Sequence, residues 1–398
     1  MWDSLMIVGK ALFFLLINPL TFMGIYLAVT LGANRVHHER THFSTKFQSS
    51  LLEIRTLFQG VIFGLLLSIA TALLGIVVPT GFLFLIILVF QVCYLLFQYQ
   101  GLSSAYSLGI SLLAGMLMVK FWTEDHFFFH NIQGDITLFA IFLAVLMGVL
   151  LLIEGHLIYW KAHTYTSPML VTSKRGKTIG GQIAKRVWLV PVLIFVPIGT
   201  VSEPVNWSLL FTWEASKWLP IFFPFLIGFS HEMIGRPSKA ACEYIGSKIF
   251  YLAIAVIGLG LAGFISNFFL YAVAMVAIIG RLAITILANQ KEREAAPYYT
   301  EQAQGAVVIG VISGTPAAKM KIAVGEKILT LNDQPIHQHA DIYNILQRQN
   351  SCLIEVEGVD GKVRVIPYLL KPEDHHELGL VVTTYSGRTR HTFEDSSY

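Results

Sequence analysis

The sequence predicts an all-α polytopic membrane bundle followed by a small soluble α+β domain. Three observations carry this prediction: long apolar runs, the distribution of Lys and Arg between those runs, and an abrupt change of composition after Ala288. Of the 398 residues, 55% are hydrophobic and only 13% are charged, whereas about a quarter of the residues of a typical soluble domain are charged. The deficit of charge is concentrated before residue 290, which indicates a membrane protein.

Nine apolar segments are candidate membrane spans. A hydrocarbon core of about 30 Å requires about 20 apolar residues in a helix. The nine segments are residues 5–32, 57–78, 82–98, 101–121, 136–160, 187–202, 218–229, 249–265 and 268–288. The segments 187–202 and 218–229 are short and rich in proline and aromatic residues. If these two form a re-entrant hairpin, seven spans remain, so we predict between seven and nine.

The connecting segments differ in charge, and this difference predicts the orientation of the chain. Residues 33–56, 161–186 and 230–248 are rich in Lys and Arg, whereas residues 122–135 and 203–216 contain neither. Because Lys and Arg are retained on the cytoplasmic side, we expect the N-terminus outside and the C-terminal domain in the cytoplasm. Seven and nine spans give the same sidedness. The basic loops would meet anionic lipid, and we expect no nucleic-acid partner.

No catalytic or metal-binding pattern emerges from the sequence. Cys93, Cys242 and Cys352 lie too far apart to form a metal motif or a disulfide framework. A site-2-type membrane metalloprotease needs His-Glu-x-x-His, but after His231-Glu232 the position of the second histidine is Gly235. The histidines and carboxylates of residues 124–130 are typical of a solvated loop. We therefore expect no enzyme, no cofactor and no metal, and a degenerate site-2-type regulator is one alternative.

Charged residues within the predicted spans leave a second alternative, a small-solute transporter. Glu154 and Arg281 are the charges that matter most, since ionisable groups inside a membrane are usually functional. We find no internal repeat of the kind that many transporters contain. The transporter therefore remains an alternative to a protein without transport activity.

The chain divides into four parts by composition. We assign residues 1–290 to the transmembrane region, 291–302 to a linker, 303–385 to a soluble domain and 386–398 to a flexible tail. In the soluble domain, runs rich in Val and Ile alternate with turn residues and with two helical patterns. The predicted strands are residues 306–312, 327–331, 352–356, 362–367 and 377–383, and the predicted helices are residues 315–320 and 340–349.

The soluble domain resembles a bacterial PDZ domain. The resemblance rests on residues 313–318 (SGTPAA), 324–329 (VGEKIL) and 331–336 (LNDQPI), which occur in the order of that family. Glu326 replaces the usual aspartate, and Lys321-Ile322 replaces the usual Gly-Leu.

The resemblance implies a peptide groove in which an extended peptide pairs with a strand edge. The implied carboxylate-binding loop and strand are Glu377, Leu378, Gly379, Leu380, Val381 and Val382. The implied groove-wall helix contributes Ile342, Ile345 and Leu346. The alternative is that Leu378 and Leu380 only complete the domain core.

The overall layout is similar to the MinJ family of division-site selection proteins of Gram-positive rods. The residues that support this resemblance are Ile17-Asn18-Pro19-Leu20 in the first span and the stretch 35–43 (RVHHERTHF) after it. The resemblance implies a membrane adaptor that links DivIVA to MinD, and through MinD to MinC. It also implies a multi-pass protein of the cell membrane at septa and poles, with contacts to other membrane proteins of the divisome.

Overall fold

We describe the protein from a computed structural model. The structure describes residues 2–75, 77–121, 136–172, 176, 178–197, 218–300, 305–336, 339–346, 351–370 and 378–383. Among these residues, six helical segments are long and apolar enough to span a membrane, or seven if a bent helix pair at the N-terminus forms one span. The predicted loops 122–135 and 203–216 and the predicted tail 386–398 lie outside the described residues.

The N-terminal helix pair is bent where the sequence contains Asn18-Pro19. Helix α1 (Trp2–Ile17) and helix α2 (Pro19–Phe43) meet at an angle of 56°. The Asn18 side chain caps α2 by accepting a hydrogen bond of 3.0 Å from the Leu20 N–H. Pro19 occupies the first turn, where its missing N–H costs nothing. The single predicted span 5–32 is therefore two helices.

Most of the other predicted spans are helical. Their bounds are α3 (Leu52–Leu57), α4 (Val61–Leu74), α5 (Thr80–Phe97), α6 (Ser104–Phe121), α7 (Ile136–Leu157), α8 (Ser238–Ala262) and α9 (Phe268–Glu294). A single buried apolar core joins these helices. The helical part of the prediction is confirmed for these segments.

Residues 187–197 and 218–229 form strands, so the prediction of helical spans there is wrong, and so is the all-α description of this region; residues 198–202 lie outside the described residues. The chain forms strands β1 (Ser167–Thr172), β2 (Thr178–Pro197) and β3 (Trp218–Met233), in the order β1-β2-β3. Strands β2 and β3 pair antiparallel from Gln182–Met233 to Pro197–Trp218. Proline inside a helix costs about 3 kcal/mol and Val, Ile and Phe favour strands, so this composition permits strands once the two segments pair with each other.

Side chains of α4 satisfy the outer edge of β2 within the apolar core. The Leu193 N–H donates to Ser68 Oγ at 2.9 Å, and Thr71 Oγ1 donates to the Leu193 carbonyl at 2.6 Å. Gly64 allows this close approach, because a Cβ there would overlap the backbone of Pro191. Unpaired backbone groups in an apolar environment cost several kcal/mol each, so these contacts make the hairpin compatible with the bundle.

Pro224 and Gln100 limit the number of unpaired backbone groups on the outer edge of β3. Pro224 pairs with Pro191 of β2, and the Pro191 carbonyl accepts from Ser68 on the side away from β3. Successive residue pairs along two antiparallel strands point their backbone groups alternately toward each other and away from each other. Because the backbone of Pro191 points away from β3, the backbone of Pro224 points away from β2, toward the outer edge. Proline has no N–H, so it leaves no unpaired donor there. Further along this edge, Gln100 Nε2 donates to the Ser230 carbonyl at 2.9 Å.

The C-terminal region is a separate α+β unit with its own core. Its elements are β4 (Ala306–Val311), α10 (Pro316–Lys319), β5 (Lys327–Leu331), β6 (Gln334–Pro335), α11 (His339–Leu346), β7 (Ser351–Glu357), β8 (Val363–Leu369) and β9 (Leu380–Val382). The sheet order is β8-β7-β5-β4-β9, and β6 pairs with β5. Each predicted strand and helix of this unit coincides with an observed one, with ends that differ by a few residues.

The two unusual residues of this unit have clear structural settings. Glu326 is buried, and its carboxylate accepts hydrogen bonds from the Ala323 N–H at 2.9 Å and from Arg364 at 2.7 Å. Lys321 has a φ of +57°, a conformation that favours glycine. The backbone at Lys321 therefore keeps the geometry that glycine would adopt there, with Ile322 buried next to it.

Candidate functional site: the open edge of the C-terminal sheet

Strand β9 forms one edge of the C-terminal sheet and has no strand on its outer side among the described residues. The Gly379 carbonyl accepts from the Ile312 N–H, and the Thr383 N–H donates to the Val307 carbonyl, both at 2.9 Å. These two residues therefore point their backbone groups toward β4. Because backbone direction alternates along a strand, the N–H and C=O groups of Leu380 and Val382 point toward the open edge.

A tight loop precedes this edge. Gly379 has a φ of +70°, and a Cβ at this position would overlap the Thr315 side chain. The carbonyl of Leu378 accepts from the Ala317 N–H at 3.0 Å, which fastens the loop to α10. Thr315 Oγ1 donates to the Ile312 carbonyl at 2.7 Å, so the Thr315 side chain stabilises the turn and does not cap α10. The loop thus requires glycine.

The side chains of the predicted groove residues mostly complete the core. Leu378, Leu380 and Val382 are buried in the C-terminal core, and they share this core with α11. The predicted wall residues Ile342, Ile345 and Leu346 are buried in it as well. Glu377 lies outside the described residues. The interpretation that Leu378 and Leu380 are core residues therefore holds for their side chains, while the backbone edge of β9 stays open.

Val381 lies on the opposite face of the sheet, and this face packs against the membrane region. Val381 joins a cluster centred on buried Tyr299, Val307 and Ile309. Gln182 of β2 is fully buried, and its Nε2 donates to the Ile309 carbonyl at 2.7 Å. The C-terminal unit is therefore docked directly on the membrane region by backbone contacts as well as apolar ones.

Tyr299 is central to this interface. Its hydroxyl accepts from the Ser238 N–H at 3.1 Å, and its carbonyl accepts from the Gly180 N–H at 2.9 Å. Burial raises the pKa of the Tyr299 hydroxyl above its ordinary value, so the phenol stays neutral in this contact. The neighbouring Tyr298 N–H donates to the Ile234 carbonyl at 2.8 Å. The segment after α9 thus ties the C-terminal unit to β2, β3 and α8.

Phe47, in the basic loop after α2, links the membrane region to the turn beside Gly379. The Phe47 ring is buried and packs over β4 where a Cβ of Gly310 would otherwise lie. The Phe47 carbonyl accepts from the Ser313 N–H at 2.9 Å, and its N–H donates to Glu39 at 2.9 Å. Ser313 precedes the turn residue Thr315, so the groove loop and the membrane region share one chain of contacts.

Sequence reasoning did not identify Phe47, Gln182, Tyr299 or Thr315 as site residues. One signal was present: Phe47 is the only large apolar residue in the polar stretch 44–50. Such a side chain between two spans indicates a docking contact. The other three carry no local signal, because their roles depend on partners more than 60 residues away in the chain.

The residues behind the protease alternative form no metal site. His231 is buried in β3, and Gly235 follows the strand in a turn whose N–H donates to Glu292 at 2.9 Å. In the part of the chain that the structure describes, no group of three His, Cys, Asp or Glu residues could hold a metal. The stretch 124–130 lies outside that part.

The two intramembrane charges behind the transporter alternative bind each other. Arg281 Nε lies 2.8 Å from Glu154 Oε1, and both side chains are buried. Ser103 donates to the second Glu154 oxygen at 2.6 Å, and Arg281 Nη1 donates to Thr285 at 2.6 Å. This arrangement is a satisfied structural ion pair that joins α7 and α9.

Comparisons with known proteins confirm the resemblance to the MinJ family. The chain is 29% identical over 382 residues to the cell division topological determinant MinJ of Bacillus subtilis (strain 168), a match that covers 96% of this chain and 95% of that protein. It is 23% identical over 381 residues to probable cell division topological determinants MinJ of Lacticaseibacillus paracasei and Lacticaseibacillus casei (strain BD-II), covering 92% of this chain and 97% of each relative. No family model and no solved structure matches.

Proposed function

We propose that this chain, which is similar along almost its entire length to proteins named MinJ, is a membrane-anchored adaptor in bacterial division-site selection. The apolar helices anchor the protein in the cell membrane. The C-terminal unit is a PDZ-like domain that recruits other proteins by strand addition. The names of the relatives support a role in cell division, and the docked sheet with its open edge supports the mode of recruitment.

The observation that carries this proposal is the open edge of β9. A peptide that adds a strand there would bond to the outward backbone groups of Leu380 and Val382. A peptide carboxylate would lie beside the positive-φ turn at Gly379, next to the outward N–H of Leu380. Helix α11, which packs Ile342 and Ile345 into the core that it shares with β9, is the other wall that we propose for this groove.

The partners that we propose are DivIVA and MinD, with MinC bound through MinD, and other divisome membrane proteins. The protein would then lie at septa and poles, with its N-terminus outside and its PDZ-like domain in the cytoplasm. The docking contacts support this sidedness, since Phe47, Gln182 and Ser238 all belong to the basic segments that the charge pattern assigns to the cytoplasm.

A matched pair of proline variants tests the groove. Val382→Pro removes an outward N–H from the β9 edge, where an edge strand tolerates proline. Val365→Pro removes one from the opposite edge of the same sheet. The Val365 N–H points outward. The Leu353 backbone, opposite Pro367, bonds away from β8 to Asn332, and residues two apart in a strand point their backbone groups the same way.

We expect Val382→Pro to weaken co-purification of DivIVA and MinD from detergent at least about tenfold, and Val365→Pro to leave it unchanged. Equal unfolding midpoints of the two variants would verify that the domain is intact. Undiminished recruitment by Val382→Pro would refute the groove, and normal septum placement after deletion of residues 303–385 would refute the adaptor role.

A further inference from the structure

A second cavity lies at the base of the membrane region, away from the β9 groove. It has a volume of about 720 Å³ and lies where α2, the end of α5 and strands β1 and β2 meet. This volume is in the range of small-molecule pockets. One lining residue is Leu95 of α5, which is 77% exposed on a helix apolar enough to span a membrane. We call this cavity the base cavity. It lies beside the lipid-facing surface.

Two arginines, the half-buried Arg35 and the buried Arg186, line the base cavity, and other groups hold both in place. Arg35 Nε lies 2.7 Å from Glu53, and Arg35 Nη1 lies 3.0 Å from Glu39. The Arg186 side chain is 3% exposed, and its Nη2 donates to the carbonyls of Thr164 and Tyr165 at 2.7 and 2.6 Å. Arg186 Nε is buried without a hydrogen-bond partner among the described residues. The cationic wall is therefore preformed.

Lys185 supplies the charge that remains for a ligand. It lines the same cavity, is half-buried and forms no ion pair with a carboxylate of the described residues. Of the two carboxylates that line the cavity, Glu53 is already engaged by both arginines, and Glu232 is exposed, so that water screens its charge. The unneutralised charge on the inner wall is therefore positive.

The tyrosines of the base cavity indicate the depth at which it lies. Tyr94, Tyr99 and Tyr165 all line it. Tyrosine is enriched where a membrane meets water, at the level of the lipid headgroups. Basic pockets between spans at this level suit anionic headgroups, in which a phosphate presents several acceptor oxygens to ammonium, guanidinium and phenol groups.

We propose that the base cavity binds a phosphate group, carried by an anionic phospholipid of the adjacent leaflet. The acyl chains would run along the exposed face of α5 beside Leu95, and the phosphate would lie against Lys185 and the fixed arginines. This site requires neither the β9 groove nor a protein partner, so it extends beyond the proposed function. It would hold a lipid at the junction that carries the C-terminal domain.

Native mass spectrometry of the full-length protein with phosphatidylglycerol tests the site. We expect one retained lipid per chain and about tenfold weaker retention in Lys185→Gln, because a charged hydrogen bond to the phosphate is lost. Lys185→Arg keeps the charge and should retain the lipid. Lys46→Gln removes an exposed basic charge of the α2–α3 loop, outside the cavity, and should change nothing.

Two further arms distinguish the source of the phosphate. Phosphatidylcholine should be retained more weakly than phosphatidylglycerol, and millimolar inorganic phosphate should not displace the lipid. Displacement by inorganic phosphate would overturn the assignment to a lipid. Equal retention of phosphatidylglycerol by wild type and Lys185→Gln, or an equal loss with Lys46→Gln, would overturn the site itself.

Discussion

The protein contains two antiparallel sheets whose edges are treated in opposite ways. In the membrane region, Ser68 and Thr71 form hydrogen bonds with outward backbone groups of β2. On the outer edge of β3, Gln100 bonds to a backbone carbonyl and Pro224 has no N–H to leave unpaired. In the C-terminal sheet, no described residue satisfies the outer edge of β9. An edge within an apolar environment must be closed internally, whereas an edge in water can remain open for a partner.

The membrane region also encloses charged side chains. The membrane region pairs Glu154 with Arg281, and it encloses Arg35 and Arg186 between carboxylates and carbonyls. Burying these charges costs desolvation energy. We infer that the buried pairs instead fix one arrangement of the helices. Breaking these closed sites should therefore affect stability, while changes at the open edge should affect recruitment.

The largest expected effect comes from the buried ion pair. Glu154→Gln should leave the Arg281 charge buried without its partner and destabilise the protein by about 3–5 kcal/mol. Thermal unfolding of the detergent-purified protein would measure this. The double variant Glu154→Leu with Arg281→Leu removes both charges and should recover much of the loss. If Glu154→Gln unfolds at the same temperature as the wild type, the buried ion pair does not stabilise the membrane region as proposed.

A smaller effect should follow from opening the membrane sheet edge. Thr71→Val keeps the shape of the side chain but leaves the Leu193 carbonyl without its 2.6 Å donor, at a cost of about 1–3 kcal/mol. Thr41→Val is the control, since the Thr41 hydroxyl donates to the His37 carbonyl of its own helix. The two unfolding midpoints should differ, and equal midpoints would show that the hydroxyl does not close this edge.

The smallest effect on stability, and the largest on recruitment, is expected at Gly379. Gly379→Ala should cost about 1–2 kcal/mol because of the positive φ, and the added methyl group should push against Thr315. Pairing it with Thr315→Ser, which removes one methyl group, should recover part of the partner binding in the same pull-down. Normal recruitment by Gly379→Ala alone would show that the loop geometry is not part of the site.

Much of the fold follows from local patterns. The long apolar runs predicted six helices that the structure contains, whereas the first run, predicted as one span, is two helices that meet at Asn18-Pro19. In the C-terminal unit, alternating strands and turn residues predicted the elements in order, and the predicted groove residues from Leu378 to Val382 fall on its edge strand and the loop before it. These features depend on neighbours a few residues apart, and the sequence displays such neighbours directly.

Tertiary structure alone decided the rest. Hydropathy indicates that residues 187–197 and 218–229 are buried, but a buried strand and a buried helix can share the same apolar composition. Strand pairing between them, and the hydroxyls of α4 more than 110 residues away, made the strand the stable form. Tertiary structure also decided the pairing of Arg281 with Glu154 and the packing of Phe47 against Gly310. Each is a contact between distant segments, whose free energy exists only once the chain has folded.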